Sequence, residues 1–196
     1  GGAHELPVVG VDTELGALAH RLGLTAVARR ALVALYGLYL VGEPMLSIAS
    51  LAHVLNDWTE PLGRGELGAF AMLHRERGRV GLRAAVTDLL DGAPPRTIRL
   101  VGGPAQTPHA GAWRLAREGK PDAELEVELA ARFGQIAVID GDGDDALLEA
   151  RLHGATAVAF HPPDHRPRPW PRDAGLVLVL YGSATSWIAD VPSLTD

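Results

Sequence analysis

The chain has 196 residues, 18 Lys and Arg against 24 Asp and Glu, a net charge of −6, and 47% hydrophobic and 21% charged residues. This balance suits one large or two small globular domains and argues against a nucleic-acid protein that works by bulk charge. The absence of cysteine excludes disulfides and thiolate metal sites, and no uncharged apolar run reaches the roughly 18 residues of a membrane span.

No basic stretch followed by an apolar one opens the chain, so a cytoplasmic location is expected. The ends, Gly1-Gly2 and Thr195-Asp196, look cut, and the expected parent is a longer, bacterial protein. The first half reads as helical. Asp12-Thr13 can cap a helix over Glu14–Leu22 that stops at Gly23, and Thr25 caps a second over Ala26–Leu40. Leu32, Leu35, Tyr36 and Tyr39 share one face of that second helix. Ser47 starts a third over Ile48–Trp58, with Leu51, Val54, Leu55 and Trp58 as its apolar stripe. The spacing of Leu67, Phe70 and Leu73 predicts a fourth helix over Gly65–Glu76, and a fifth follows over Val80–Leu90. Ala93-Pro94-Pro95 breaks regular structure and divides a domain over 1–95 from one over 96–196.

The second half alternates strand and helix. Strands are expected at Thr97–Val101, Gln135–Asp140, Ala155–Phe160 and Gly175–Tyr181. Helices are expected from Thr107-Pro108, over Ala123–Phe133 and over Asp144–Leu152. The strands are unbroken apolar runs, which predicts burial on both faces and a three-layer α/β domain with a mainly parallel sheet.

The stretch TIRLVGGPAQTPHAGAW, residues 97–113, has the outline of a strand entering a phosphate-binding turn. A phosphate loop requires G-x-x-x-x-G-K-[ST]. Counted from Gly102, the second glycine, lysine and hydroxyl fall on Thr107, Pro108 and His109; counted from Gly103, they fall on Pro108, His109 and Ala110. Both registers fail at every position. The strand ATAVAF leads into His161-Pro162-Pro163, without the acid that would hold magnesium. Gly102, Gly103 and Thr107 therefore read as a degenerate loop, with no cofactor.

Asp140–Glu149 fails as a calcium loop, since its sixth and twelfth positions are Asp145 and Arg151. His161, Asp164 and His165 lie in an extended proline-rich loop rather than at helical metal-ligand spacing. Arg166, Arg168 and Trp170 in that loop suit a partner-binding segment, because proline-rich chains lose little entropy on docking. Arg75, Arg77, Arg79 and Arg83 are the only basic cluster of the first half, and Arg75 and Arg79 are the candidate contacts of that region.

The order of elements, with LLEARLHGATAVAF (147–160) and LYGSATSW (180–187), resembles the N-terminal region of certain large bacterial AAA ATPases. The resemblance implies a winged-helix-like domain, then a degenerate AAA-like domain, with the intact motor further on in a hexameric parent. It implies a non-catalytic regulatory or scaffolding region whose partners are other proteins or the C-terminal motor. The alternatives are a DNA-binding winged-helix regulator with a ligand-sensing α/β half, contacting DNA through Arg75 and Arg79, and a small α/β enzyme whose site the residue order hides.

Overall fold

A computed structural model describes residues 14–56, 72–103, 111–118, 122–139, 146–160, 177–181 and 191–194. The chain is mixed α/β and divides into two units, Gly1–Pro94 and Pro95–Asp196. No helix among the described residues is long and apolar enough to cross a membrane.

Hydroxyl caps start two helices of the first unit. After α1 (Glu14–Arg21), Thr25 opens α2 (Ala26–Leu40), its Oγ1 accepting from the Ala28 N–H at 3.2 Å. Ser47 ends the short strand β1 (Leu46–Ser47) and opens α3 (Ile48–Leu55), its Oγ accepting from the Ser50 N–H at 3.0 Å. Each cap satisfies an orphan donor and contributes about 1 kcal/mol. Leu18, Leu32, Leu35, Leu51, Leu55 and Met72 are fully buried. Helix α3 ends three residues before the expected Trp58, because Asn56 turns left-handed at φ 52°. Val54, expected in its apolar stripe, is 54% exposed.

Leu73–Glu76 is a strand, β2, not the end of a helix, and Arg79–Leu82 is a strand, β3, not the start of one. Residues 65–71 of the expected fourth helix lie outside the described residues. The two strands form a hairpin around Arg77 (φ 48°) and Gly78 (φ 75°). Two consecutive left-handed residues make a primed turn, whose twist matches that of the strands it joins. The three strands order β1-β3-β2, all antiparallel, and α4 (Ala84–Leu90) follows.

Among the described residues the second unit holds five strands: β4 (Ile98–Val101), β5 (Trp113–Arg117), β6 (Ile136–Ile139), β7 (Ala157–Phe160) and β8 (Val177–Tyr181). They order β4-β6-β7-β8-β5 in one mixed sheet. Strand β4 lies antiparallel to β6, and the β6–β7, β7–β8 and β8–β5 pairings are parallel. Two expectations are corrected. The opening strand β4 is an antiparallel edge rather than the first parallel strand. No strand is expected between Val101 and Gln135, yet residues 113–117 form β5 at the opposite edge; the helix start expected at Thr107-Pro108 falls in 104–110, outside the described residues.

Helices α5 (Ala123–Phe133) and α6 (Ala146–Leu152) pack on the β4–β6 side of the sheet. Leu129 and Phe133 of α5 join Leu115, Ile136, Val138, Ala157, Ala159, Val177 and Val179 in one apolar cluster. The alternate residues Ala137 and Val158, on the opposite face, are fully buried as well. Thr156 ties the strand entries together, its hydroxyl donating to the Phe133 and Gln135 carbonyls. Beyond β5, Ser193 bridges Arg114 in parallel: the Arg114 N–H donates to Pro192 O at 2.9 Å and the Leu194 N–H to Arg114 O at 2.7 Å.

Candidate interaction surface

The hairpin β2–β3 projects its charge into solvent: His74 through Arg79 are all exposed, while Leu73 and Val80 at its base are buried. Its root is fixed by a close approach. A side chain at Gly81 would place Cβ 2.2 Å from Pro44 O, so only glycine lets segment 44–45 lie against β3. There the Arg79 Nη2 donates to Met45 O at 2.7 Å, and the Arg83 Nε donates to Leu73 O at 3.4 Å. Residues 73–83 hold four of the eight arginines of the first unit against one acid, Glu76. Glu76 lies 3.8 Å from His74 with both side chains largely exposed, a contact worth little. The result is a local cationic tip on a unit whose other charges are mainly acidic. Of the residues singled out from sequence, Arg75 and Arg79 thus lie on one hairpin, on neighbouring strands and on opposite faces.

The glycine pair has a packing role. Gly102, at φ 98°, follows β4 where a Cβ would meet Ala130 Cβ at 2.8 Å and Gly134 O at 3.1 Å. It lets the turn lie against the end of α5. Nothing lies within 4 Å of the Cβ position at Gly103. The next strand in the chain is β5, on the far edge of the sheet, so the pair does not lead a parallel strand into its following helix. Thr107, the third residue of that loop, lies outside the described residues, as do Arg166, Arg168, Trp170, His161, Asp164, His165 and Asp140–Asp145.

One segment that joins a parallel strand to a helix is 118–122, between β5 and α5, with sequence EGKPD. It contains Lys120, the only lysine of the chain; residues 119–121 lie outside the described residues. The helix start itself is described. Asp122 is the N-cap, its carboxylate accepting from the Leu125 N–H at 2.8 Å, and Glu124 and Glu126 occupy the first turn. The positive end of the helix is matched by its own acids.

Two buried carboxylates were not singled out from sequence. Glu126 takes a bidentate pair from Arg99 of β4, at 2.9 and 2.7 Å. The guanidinium, by its hydrogen bonds first and its charge second, holds the Glu126 carboxyl below its ordinary range, against the opposing effect of desolvation. Glu149 of α6 accepts from the Arg96 N–H at 3.0 Å and the Thr97 N–H at 3.3 Å, at the entry to β4. Glu126 could have been found from its spacing, since it shares the stripe of Leu129 and Phe133. Among the described residues no group of three His, Asp or Glu side chains could hold a metal ion. Comparison with protein-family models, curated proteins and solved structures finds no match to this chain.

Proposed function

We propose that this chain is a non-catalytic region of a bacterial AAA ATPase, serving protein interaction or assembly rather than nucleotide hydrolysis. The winged-helix reading of the first unit is supported by its order: helix, short strand, helix, then a hairpin whose inner strand β3 pairs with β1. The AAA-like reading of the second unit is supported by its strand order. The parallel strands leave the chain as β5, β6, β7 and β8, yet β5 returns beside β8, with the 191–194 segment on its outer side. An ATPase core of this kind also sets its first parallel strand between the fourth and fifth. By that correspondence the phosphate turn follows β5, not β4.

One observation carries the non-catalytic reading: the α5 N-terminus is already occupied by acids. A helix N-terminus holds phosphate through free N–H donors and its positive dipole end. Here Asp122 takes the Leu125 donor, and Glu124 and Glu126 lie within the same turn. The preceding sequence offers one glycine where a phosphate loop has two, and proline follows its lysine where a hydroxyl would hold magnesium. Calorimetric titration of the chain with ATP and magnesium tests this. The expected result is no saturable heat and no phosphate release; micromolar affinity with turnover would end the proposal.

A further inference from the structure

We propose that the arginine hairpin is a docking edge for an extended acidic segment of a partner protein, which adds as a strand to β2. The inference rests on the reading of this chain as a protein-interaction region and names the partner chemistry.

The backbone supplies the first half of the argument. In a hairpin with a two-residue turn, the flanking residues exchange both peptide hydrogen bonds, and bonded pairs then alternate along the ladder. Glu76 and Arg79 flank the turn, so the Glu76–Arg79 and His74–Gly81 pairs are the bonded ones. The Arg83 N–H donating to Met72 O at 2.9 Å continues the alternation. Leu73 and Arg75 therefore turn their peptide groups away from β3. The Leu73 carbonyl is met by Arg83 Nε, and no strand among the described residues pairs with the outer side of β2. The Arg75 peptide is thus the centre of a short edge able to accept a strand.

The side chains supply the second half. Arg75 and Arg77 are exposed beside that edge; Arg79, on the inner strand β3, is turned to Met45 on the β1 side and takes no part in it. A strand of about four residues spans about 13 Å, the length of β2. Carboxylates at alternate positions of an added strand lie within reach of these guanidinium groups, which bind carboxylate through paired N–H donors. A DNA duplex fits less well. It lays phosphates across a broad surface, and outside residues 73–83 the first unit carries four arginines against nine acids. It also leaves the outward peptide groups of β2 unused.

Fluorescence anisotropy with the intact chain tests the proposal. The probe is a labelled octapeptide of alternating aspartate and valine. Its counterparts are the same peptide with alternate amides N-methylated and a short DNA duplex. Saturable binding of the plain peptide is expected, weakened about tenfold by Arg75→Glu combined with Arg77→Asn. A similar loss is expected on N-methylation, since a blocked amide cannot pair with β2. Arg77→Asn keeps a residue that tolerates the left-handed turn, and circular dichroism verifies that the double variant folds. Absent binding, equal binding of the methylated peptide, indifference to the arginine substitutions, or tighter binding of the duplex would each overturn the proposal. The ATP titration is read separately. Peptide binding lost with no nucleotide bound removes only this inference; nucleotide turnover with peptide binding intact removes only the non-catalytic reading.

Discussion

The two units differ in whether any of their acidic side chains are taken out of water. In the second, Glu126 and Glu149 are buried, and each faces a defined set of donors. In the first, no carboxylate among the described residues is buried; Asp91 receives its hydrogen bonds at the surface, and Glu76 stands among exposed arginines. A charge taken out of water costs several kcal/mol unless fixed donors replace the lost hydration. A surface charge keeps its water and remains available. Glu126 and Glu149 therefore hold α5 and α6 to β4, and the charges of the first unit stay in contact with solvent. On this view the interaction chemistry belongs to the hairpin and the scaffold to the sheet.

The strongest way to break that contrast is at Glu149. Replacing it with alanine leaves the Arg96 and Thr97 N–H groups without their acceptor at the start of β4. Leaving part-buried donors unmet costs about 1–3 kcal/mol. Urea unfolding of Glu149→Ala is expected to show a loss of that size, and Glu149→Gln, which keeps one carbonyl oxygen, a smaller one. A loss no larger than that of an exposed acid would remove the distinction between the units.

The Arg99–Glu126 pair gives a smaller effect with a direction in pH. The arginine side chain is 49% exposed, so solvent screens the pair, and Arg99→Ala should cost about 1 kcal/mol near neutrality. The native carboxyl titrates below its ordinary value of 4.5. Stability from a depressed carboxyl is present above the unfolded value and is lost as pH falls through the folded one. The native chain should therefore shed this contribution on the acid side of pH 4.5, and Arg99→Ala should shed less there. Unfolding midpoints measured across that range decide the matter, and parallel curves for the two proteins would show that the pair does not stabilise the fold.

How far the sequence disclosed these features follows from the range of the interactions involved. Helix α2 was legible from its cap, Thr25, and its apolar stripe, and α5 has the bounds expected for it, Ala123–Phe133. The strands β6, β7 and β8 were legible as apolar runs. The hairpin was not. Its turn is Arg-Gly rather than Asn-Gly, and Leu73 continues a helical spacing from Leu67 and Phe70, which outweighed the period of two in Val80 and Leu82. Strand β5 was hidden because a good helix start, Thr107-Pro108, precedes it and because Arg114 and Arg117 interrupt its apolar character. The antiparallel direction of β4 depends on its pairing with β6, more than thirty residues away, and no local pattern encodes it. The arginine cluster was visible as composition; that Arg75 stands beside an outer strand edge was not, because the edge exists only once the hairpin does.

The smallest effect belongs to the exposed side of the comparison. Asp91 receives the phenol hydrogens of Tyr36 at 3.0 Å and Tyr39 at 2.8 Å, and the two rings stack with centroids 5.9 Å apart. Both phenols titrate above their ordinary value of 10.0. For Tyr36 the larger cause is burial, then the bond to Asp91. For Tyr39 the bond to Asp91 comes first, then burial. Because folding favours the protonated form, this contribution is whole below pH 10 and disappears as pH rises through the raised values. Asp91→Ala should lower the onset of phenolate absorbance, more for Tyr39 than for Tyr36, as Tyr36→Phe and Tyr39→Phe backgrounds would resolve. Near neutrality the same substitution should leave the unfolding midpoint almost unmoved, since the bonds it removes are at the surface and water replaces them. A fall comparable with that of Glu149→Ala would mean that the first unit, too, depends on its acids for its fold, and the separation of scaffold from contact surface would have to be given up.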